Sequence, residues 1–85
     1  MRMIVNMNGT AASDLIDQRR AVMDAISNAM KAMQEMTPNG RDYPGKQDDC
    51  KADRETHYAR FALLDKLRNE IMDEALEIRR QSDGR

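Results

Sequence analysis

The fold is decided by the stretch TPNGRDYPG (residues 37–45), which separates two long segments of helical periodicity. Pro38 lacks a backbone N–H and disfavours helical geometry in the residue before it, so a helix that arrives from the N-terminal side must end there. The proline-glycine pair at the end of the stretch marks a second turn. Residues 37–52 contain almost no apolar side chain besides Tyr43, which predicts a connecting loop of a length typical of functional or disordered loops.

The segment before the loop is predicted to form one helix over residues 11–36. Thr10 or Ser13 can cap its start, because either hydroxyl can accept a hydrogen bond from the free N–H groups of the first turn. Its apolar residues form a stripe three heptad positions wide: Leu15, Ile16, Val22, Met23, Ile26, Ala29, Met30, Met33 and Met36. This stripe is wider than the seam of a two-stranded coiled coil, and it predicts a helix that packs against more than one neighbour.

The segment after the loop is predicted to form a second helix over residues 53–80, with Asp53 as its N-cap. Its seam and flanking positions contain Tyr58, Phe61, Leu64, Leu67, Ile71, Met72, Ala75 and Ile78. Leu63 and Leu76 fall outside that seam, which is the pattern expected if another subunit buries a second surface. Residues 81–85 are polar and are predicted to fray.

Two helices of about 26 residues would each be about 39 Å long, and a short connection requires them to lie antiparallel. The predicted fold is therefore an all-α antiparallel two-helix hairpin that forms a single domain over residues 1–85. A hairpin alone leaves half of each wide stripe exposed, so we expect two hairpins to pair into a four-helix bundle. The residues expected at this oligomer interface are Ile16, Met23, Met30, Leu63 and Leu76.

Residues 1–9 are predicted to form a short extended arm. Met3, Val5 and Met7 alternate with other residues in the manner of a strand, and an Asn-Gly turn signal ends the pattern. A single strand leaves its backbone N–H and C=O groups unpaired. Three arrangements are therefore open: the arm frays, packs as an extended segment, or pairs with the same segment of another subunit.

Composition and charge disfavour several classes of protein. The net charge is −1, with 14 basic and 15 acidic residues interspersed, so no basic field favours nucleic-acid binding. A nucleic-acid surface would have to use Arg19, Arg20, Arg79 and Arg80. No apolar run approaches the roughly 18 residues of a membrane span, and the single Cys50 fits a reducing compartment. We therefore predict a cytoplasmic protein that has no membrane partner and for which nucleic acid is not the expected partner.

The residues that carry chemistry are too few to predict an enzyme. The chain has one histidine, His57, which lies seven residues from Cys50, and this pair does not make a metal-ligand set. No nucleophile or substrate group can be named beside His57, so we interpret it as a residue that contacts the loop. Carboxylate pairs such as Asp73 and Glu77 are interpreted as a solvated face. We expect no catalytic residue, no metal and no cofactor.

The loop carries the best candidate for a binding site. It clusters two cations, a carboxylate and an amphipathic ring, a composition suited to an anion, a nucleotide or a protein hot spot. Antiparallel pairing of two first helices would bring the start of one helix beside the loop of the other and create a composite site. Its candidate residues are Asn8, Thr10, Asn39, Arg41, Asp42, Tyr43 and Lys46. The structural alternative is that Arg41 pairs with Asp42 while Tyr43 covers the hairpin end.

Three short features stand out from the helical pattern: Asn8-Gly9-Thr10, Gln18 within the first helix, and Pro38-Asn39-Gly40-Arg41-Asp42-Tyr43. In these features, over about residues 3–78, the chain resembles small uncharacterised proteins encoded by phages and prophages. The resemblance implies a bacterial cytoplasm during infection or lysogeny as the setting. It also implies the role common among small phage accessory proteins, which bind or inhibit a host factor, including defence systems and their signalling nucleotides.

Two functions are consistent with these observations. The first is a non-enzymatic homo-oligomeric interaction protein, a homodimer or higher oligomer that uses its loop and exposed helix faces to bind a host or phage protein. The alternative is a protein that binds or sequesters a nucleotide at a subunit interface, with Arg41 and Lys46 on the phosphates and Tyr43 stacked on the base.

Overall fold

The computed structural model describes residues 2–5 and 11–84, and within them the chain is an all-α hairpin. Helix α1 spans Ala12–Gln34 and helix α2 spans Gln47–Asp83. The two helices pack against each other, and their connection contains a short 3₁₀ turn over Gly40–Asp42. No strand occurs in the described residues. The predicted helical hairpin is confirmed.

Helix α1 ends close to the predicted boundary. Thr37 closes the helix, because its backbone N–H and its hydroxyl both donate to the carbonyl of Gln34, at 3.2 and 2.8 Å. Pro38 follows at once and prevents a further turn. At the other end, Ala11 is the N-cap residue and makes no side-chain cap. Ser13 lies inside the helix and does not act as the predicted cap, whereas Thr10 lies outside the described residues.

Helix α2 begins at Gln47, six residues before the predicted start at Asp53. Asp48 and Asp49 occupy the first turn, where a negative charge is stabilised by the helix dipole. Asp53 is therefore an interior helical residue, and its predicted role as a cap is wrong. The helix also continues to Asp83, three residues beyond the predicted end at Arg80. The connection covers residues 35–46 instead of 37–52.

The core is a narrow seam between the helices. On α2 it follows a heptad repeat: Cys50, His57, Leu64, Ile71 and Ile78, of which Cys50, His57 and Ile78 are buried and the others half-buried. Ala75 is also buried. On α1 the seam contains the buried residues Ile26 and Met30 and the half-buried Met23 and Met33.

Polar contacts across the seam show which residues of the two helices lie opposite each other. The Nη1 atom of Arg68 donates to Ser27 Oγ at 3.0 Å near the middle of the hairpin. Near the loop, Thr37 Oγ1 and His57 Nε2 lie 3.2 Å apart. Because these pairs occupy two levels, they define the register of α1 against α2.

Arg19 interrupts the α1 seam and extends along α1 toward α2. Its side chain is 17% exposed, its Nη1 donates to the Leu15 carbonyl at 3.1 Å, and its Nη2 lies 3.6 Å from Glu74 Oε1 on α2. The Nε of Arg19 is buried and has no hydrogen-bond partner in the described part of the chain. An unsatisfied buried N–H costs about 1–3 kcal/mol, so this position weakens the seam.

The hairpin is long and thin. Its extents are 63 × 18 × 15 Å and its radius of gyration is 18.9 Å. A compact chain of this length would have a radius of gyration of about 12 Å. Most side chains therefore lie on one of the long sides instead of in a core.

The N-terminal arm packs onto the end of α2. Residues 2–5 are extended, and Val5 is buried. The side-chain amide of Gln81 pairs with the arm backbone: the Val5 N–H donates to Oε1 at 2.7 Å, and Nε2 donates to the Met3 carbonyl at 3.1 Å. Of the three open arrangements, the structure shows the packed extended segment for residues 2–5. The rest of the predicted arm, which includes Met7, Asn8 and Gly9, lies outside the described residues.

Candidate functional site

The loop between the helices is closed by its own hydrogen bonds. Asn39 begins the 3₁₀ turn, with its Oδ1 accepting from the Arg41 N–H at 3.0 Å and its carbonyl accepting from the Asp42 N–H at 2.9 Å. The Lys46 N–H then donates to the Tyr43 carbonyl at 3.0 Å. The turn between them places Gly45 at a φ of 74°, a left-handed conformation that favours glycine. Asn39 therefore has a structural role.

Tyr43 ties the loop to α2. Its hydroxyl donates to Asp53 Oδ2 at 2.5 Å, and this hydrogen bond is the main reason why the pKa of Tyr43 is raised to about 12. The sequence did not reveal this pair, because Asp53 was placed at the helix start instead of in the second turn of α2. No pattern in the sequence links a loop tyrosine to a carboxylate ten residues later.

The loop and the start of α2 enclose an open cleft of about 530 Å³. Its lining residues are Asp42, Tyr43, Pro44, Lys46, Asp49, Ala52 and Asp53. The cleft thus brings together Asp42, Tyr43 and Lys46 from the predicted site, but not Arg41 or Asn39. Three carboxylates face one ammonium group, so the charge of the cleft disfavours a phosphate. Arg41 and Asp42 are both described and exposed, and they form no ion pair, so this part of the structural alternative is wrong.

His57 joins the two helices beneath the loop. Thr37 Oγ1 and His57 Nε2 share a hydrogen bond of 3.2 Å, whose direction depends on the tautomer of the imidazole. The ring also packs edge-on against Tyr58, with centroids 5.3 Å apart. The prediction that His57 contacts the loop agrees with this geometry. Nearby, Arg54 Nε donates to the Pro38 carbonyl at 2.9 Å and holds the other half of the turn.

A second candidate surface runs along one side of the hairpin, and we call it the alanine face. On α1 it consists of Val22, Ala25, Ala29, Ala32 and Met36, which recur at heptad spacing beside the buried seam and are all exposed. Val22 and Met36 are 45% and 59% exposed. The sequence placed Val22, Ala29 and Met36 in the wide stripe, and in the single chain they face outward.

The α2 part of the alanine face consists of Leu63 and Leu67, which are 66% and 44% exposed. Leu63 lies seven residues after Thr56, and Leu67 lies seven residues after Arg60, so each pair shares one flank of the helix. Thr56 and Arg60 line a cavity together with Met36. The leucine flank of α2 therefore lies beside the exposed flank of α1, and the two helices form one apolar surface.

The opposite side of the hairpin is different. Asp17 and Arg20 of α1 line a cleft there with Arg79 and Asp83 of α2. The α1 positions on this side are polar or charged: Asp17, Arg20, Asp24, Ser27, Lys31 and Gln34. The exposed apolar residues on this side of α2 are Tyr58, Met72 and Leu76, which share heptad positions with Arg79 and Asp83.

The five residues predicted at the oligomer interface are therefore in different places. Leu63 lies on the alanine face, whereas Leu76, which is 55% exposed, lies on the opposite side. Met30 is buried inside the hairpin and belongs to its core. Ile16 and Met23 are half-buried along the same seam. Two further candidate-site residues, Asn8 and Thr10, lie outside the described residues, so the composite site stays a prediction.

An acidic cluster occupies α2 beyond the leucines, where Glu70, Asp73, Glu74 and Glu77 line a shallow cleft. Hydrogen bonds, first from Arg80 and then from Gln81, lower the pKa of Glu77 to about 2. Across residues 2–5 and 11–84, no group of three or more histidine, cysteine or acidic residues is arranged to hold a metal ion.

Two further findings concern the whole described chain. Neither α1 nor α2 contains a stretch apolar and long enough to cross a membrane. No protein-family model, no curated protein and no solved structure matches the chain at a significant level.

Proposed function

We propose that this protein acts by binding and not by catalysis, as a homodimer in which two hairpins pair into a four-helix bundle and present their loops and outer faces to another protein. The observation that carries the proposal is the alanine face. Both helices contribute to this exposed apolar surface, which a single hairpin has no means to cover.

The exposed area of the chain supports an association of this size. Its accessible surface is 6532 Å². A compact monomer of 9.8 kDa would expose about 5,200 Å², so the hairpin exposes roughly 1,300 Å² more than expected. A standard protein interface removes about 800 Å² from each partner. One hairpin-to-hairpin contact would therefore remove much of the excess.

The burial and the hydrogen bonds of the reactive side chains support a non-catalytic role. The imidazole of His57 is buried and bonded to Thr37, and the hydroxyl of Tyr43 is bonded to Asp53. Cys50 is buried in the seam, where a thiol acts as a small apolar side chain. Each of these groups is engaged in a contact within the hairpin.

The class of partner is proposed from the short sequence motifs that resemble those of phage-encoded proteins. The resemblance of Asn8-Gly9-Thr10 and of residues 38–43 to phage-encoded proteins supports a bacterial protein as the target, bound or inhibited in the host cytoplasm. The exposed Arg41, on the 3₁₀ turn at the tip of the hairpin, offers a contact suited to a protein surface.

The solution mass tests the proposal directly. We expect light scattering coupled to size-exclusion chromatography to give twice the 9.8 kDa chain mass. Sedimentation over a dilution series should show reversible dissociation to the single chain. A protein that remains a single chain at the highest soluble concentration would contradict the proposal.

Nucleotide binding by the loop is the alternative, and the charges of the cleft weigh against it. Three carboxylates line the cleft together with Lys46, and the Tyr43 hydroxyl already has a partner. A thermal-shift screen against nucleotides separates the two functions, because a ligand that binds the native state alone raises the melting temperature. We expect no shift. A stabilisation that disappears in Arg41→Ala and Tyr43→Ala would instead support the nucleotide function.

A further inference from the structure

The residues of the alanine face are spaced nearly symmetrically about one midpoint on each helix. On α1, Val22 and Met36 lie seven residues on either side of Ala29. On α2, Leu63 and Leu67 lie at equal distances from the midpoint of the segment between them, at position 65. A surface with this pattern is self-complementary under a two-fold axis perpendicular to the helices.

The two midpoints lie at one level of the hairpin. Ser27 faces Arg68, and Thr37 faces His57, so Ala29 is level with α2 near position 65. A single two-fold axis can therefore pass both midpoints. Under that axis, each helix meets the same helix of the second copy, running in the opposite direction.

Two charged residues of α2, one before and one after the two leucines, are also placed symmetrically about position 65. Arg60 and Glu70 lie five residues on either side of position 65, and they share the flank of Leu67 and Leu63 through their seven-residue spacing. Both are exposed, and within residues 2–5 and 11–84 neither forms an ion pair. The two-fold axis places Arg60 opposite Glu70 of the partner subunit, and this pair occurs twice in the dimer.

We propose that a second copy of this chain covers the alanine face in an antiparallel arrangement, with the two-fold axis at Ala29 and two intersubunit Arg60–Glu70 ion pairs. This arrangement rests on the proposed homodimer. In the parallel arrangement, with both loops at one end, the acidic clusters of the two copies would meet toward the other end. Each cluster keeps a net negative charge, because among the described residues only two of its four carboxylates have an arginine partner, so the clusters would repel each other. The antiparallel arrangement places those clusters at opposite ends.

A charge exchange tests the pairing. We expect Arg60→Glu alone and Glu70→Arg alone each to raise the dimer dissociation constant roughly tenfold, because each creates two pairs of like charges. The double variant should return to within about threefold of the unmodified protein, because it restores opposite charges. A double variant as weak as the sum of the single variants would overturn the arrangement.

Cross-linking tests the axis by an independent measurement. In Ala29→Cys, the two introduced thiols lie at the axis within the roughly 4.4–6.8 Å Cα separation of a disulfide, so oxidised glutathione should link the subunits. The control is Ala21→Cys, which is exposed on the same helix but eight residues, about 12 Å, from the proposed axis. If the unmodified protein is monomeric, the proposed function and the arrangement both fail. If it is dimeric and Ala29→Cys links no better than Ala21→Cys, the arrangement alone fails.

Discussion

The two long sides of the hairpin expose similar apolar residues on α2 and very different residues on α1. Leu63 on the alanine face and Leu76 on the opposite side are each more than half exposed. Beside Leu63, α1 presents a run of alanines that ends at Met36, whereas on the side of Leu76 it presents Asp24 and Lys31. Single exposed leucines are ordinary on a protein surface. A surface to which both helices contribute apolar side chains is the feature that distinguishes an interface.

The small side chains of α1 add a geometric difference between the sides. Alanine at three positions of the alanine face permits close approach of another helix. On the opposite side, Arg68 donates to Asp65 at 2.8 Å and Arg20 lies 3.9 Å from Asp17. A second hairpin placed there would have to remove these charged groups from water, which costs several kcal/mol per buried ion.

The largest expected effect is the loss of the dimer when a charge is introduced on one side only. Leu63→Glu buries two carboxylates in the proposed interface, and we expect it to raise the dissociation constant by about 100-fold or more. Leu76→Glu is the matched control on the same helix, and we expect a change of less than about threefold. Sedimentation equilibrium gives both constants, and circular dichroism checks that both variants remain helical. Equal weakening by both substitutions would remove the distinction between the two sides.

The sequence was sufficient for the hairpin, because the signals for it are local. Pro38 ends α1 regardless of tertiary contacts. The heptad spacing of Leu64, Ile71 and Ile78 predicts the seam of α2 that packs against α1. The start of α2 was predicted six residues late. Its first turns are polar apart from Cys50 and Ala52, so they lack the apolar periodicity on which the prediction depended.

The difference between the two sides could not be read from the sequence. Leu63 and Leu76 both fall outside the seam, and the pattern of α2 alone does not tell which of them lies beside the alanines of α1. That assignment depends on how the helices face each other, which is visible in contacts such as Ser27 with Arg68. The Tyr43–Asp53 bond could not be predicted for a similar reason, because it joins two elements whose relative position is a tertiary property.

A smaller effect is expected from the arm, which packs beside Gln81. Gln81→Ala removes both hydrogen bonds to the arm backbone and leaves the Val5 N–H without its partner. We expect a loss of roughly 1–2 kcal/mol in the free energy of unfolding, which would lower the melting temperature by several degrees. The matched control is Arg79→Ala, two residues away on the opposite side of α2, where the ion pair with Asp83 is highly exposed.

Calorimetry on both variants decides this comparison. We expect little change in the melting temperature for Arg79→Ala, and faster hydrogen exchange at the Val5 amide for Gln81→Ala. An unchanged exchange rate at Val5 would mean that the arm does not depend on Gln81. A large effect of Arg79→Ala would show that the exposed side of the open end contributes more to stability than the packed side.

The smallest effect is a pH dependence at the loop. The hydrogen bond from Tyr43 to Asp53 raises the pKa of Tyr43 to about 12, above its ordinary value of 10.0. A raised pKa means that the folded state favours the neutral phenol. The contribution of this group to stability is therefore fully present below pH 10 and is lost as the pH rises through about 12. In a pH titration followed by ultraviolet absorbance, we expect the Tyr43 phenolate to form only near pH 12. This absorbance change should be absent in Tyr43→Phe.

Two variants of the cleft distinguish the hydrogen bond from the general negative charge around it. Asp53→Asn replaces the carboxylate that accepts from Tyr43, so we expect it to move the pKa of Tyr43 back toward its ordinary value. Asp49→Asn removes a carboxylate from the same cleft without touching that bond, so we expect it to leave the titration of Tyr43 nearly unchanged. If both variants lower the pKa equally, the charge of the cleft and not the bond controls Tyr43. In that case the loop is held to α2 less firmly than the hairpin geometry indicates.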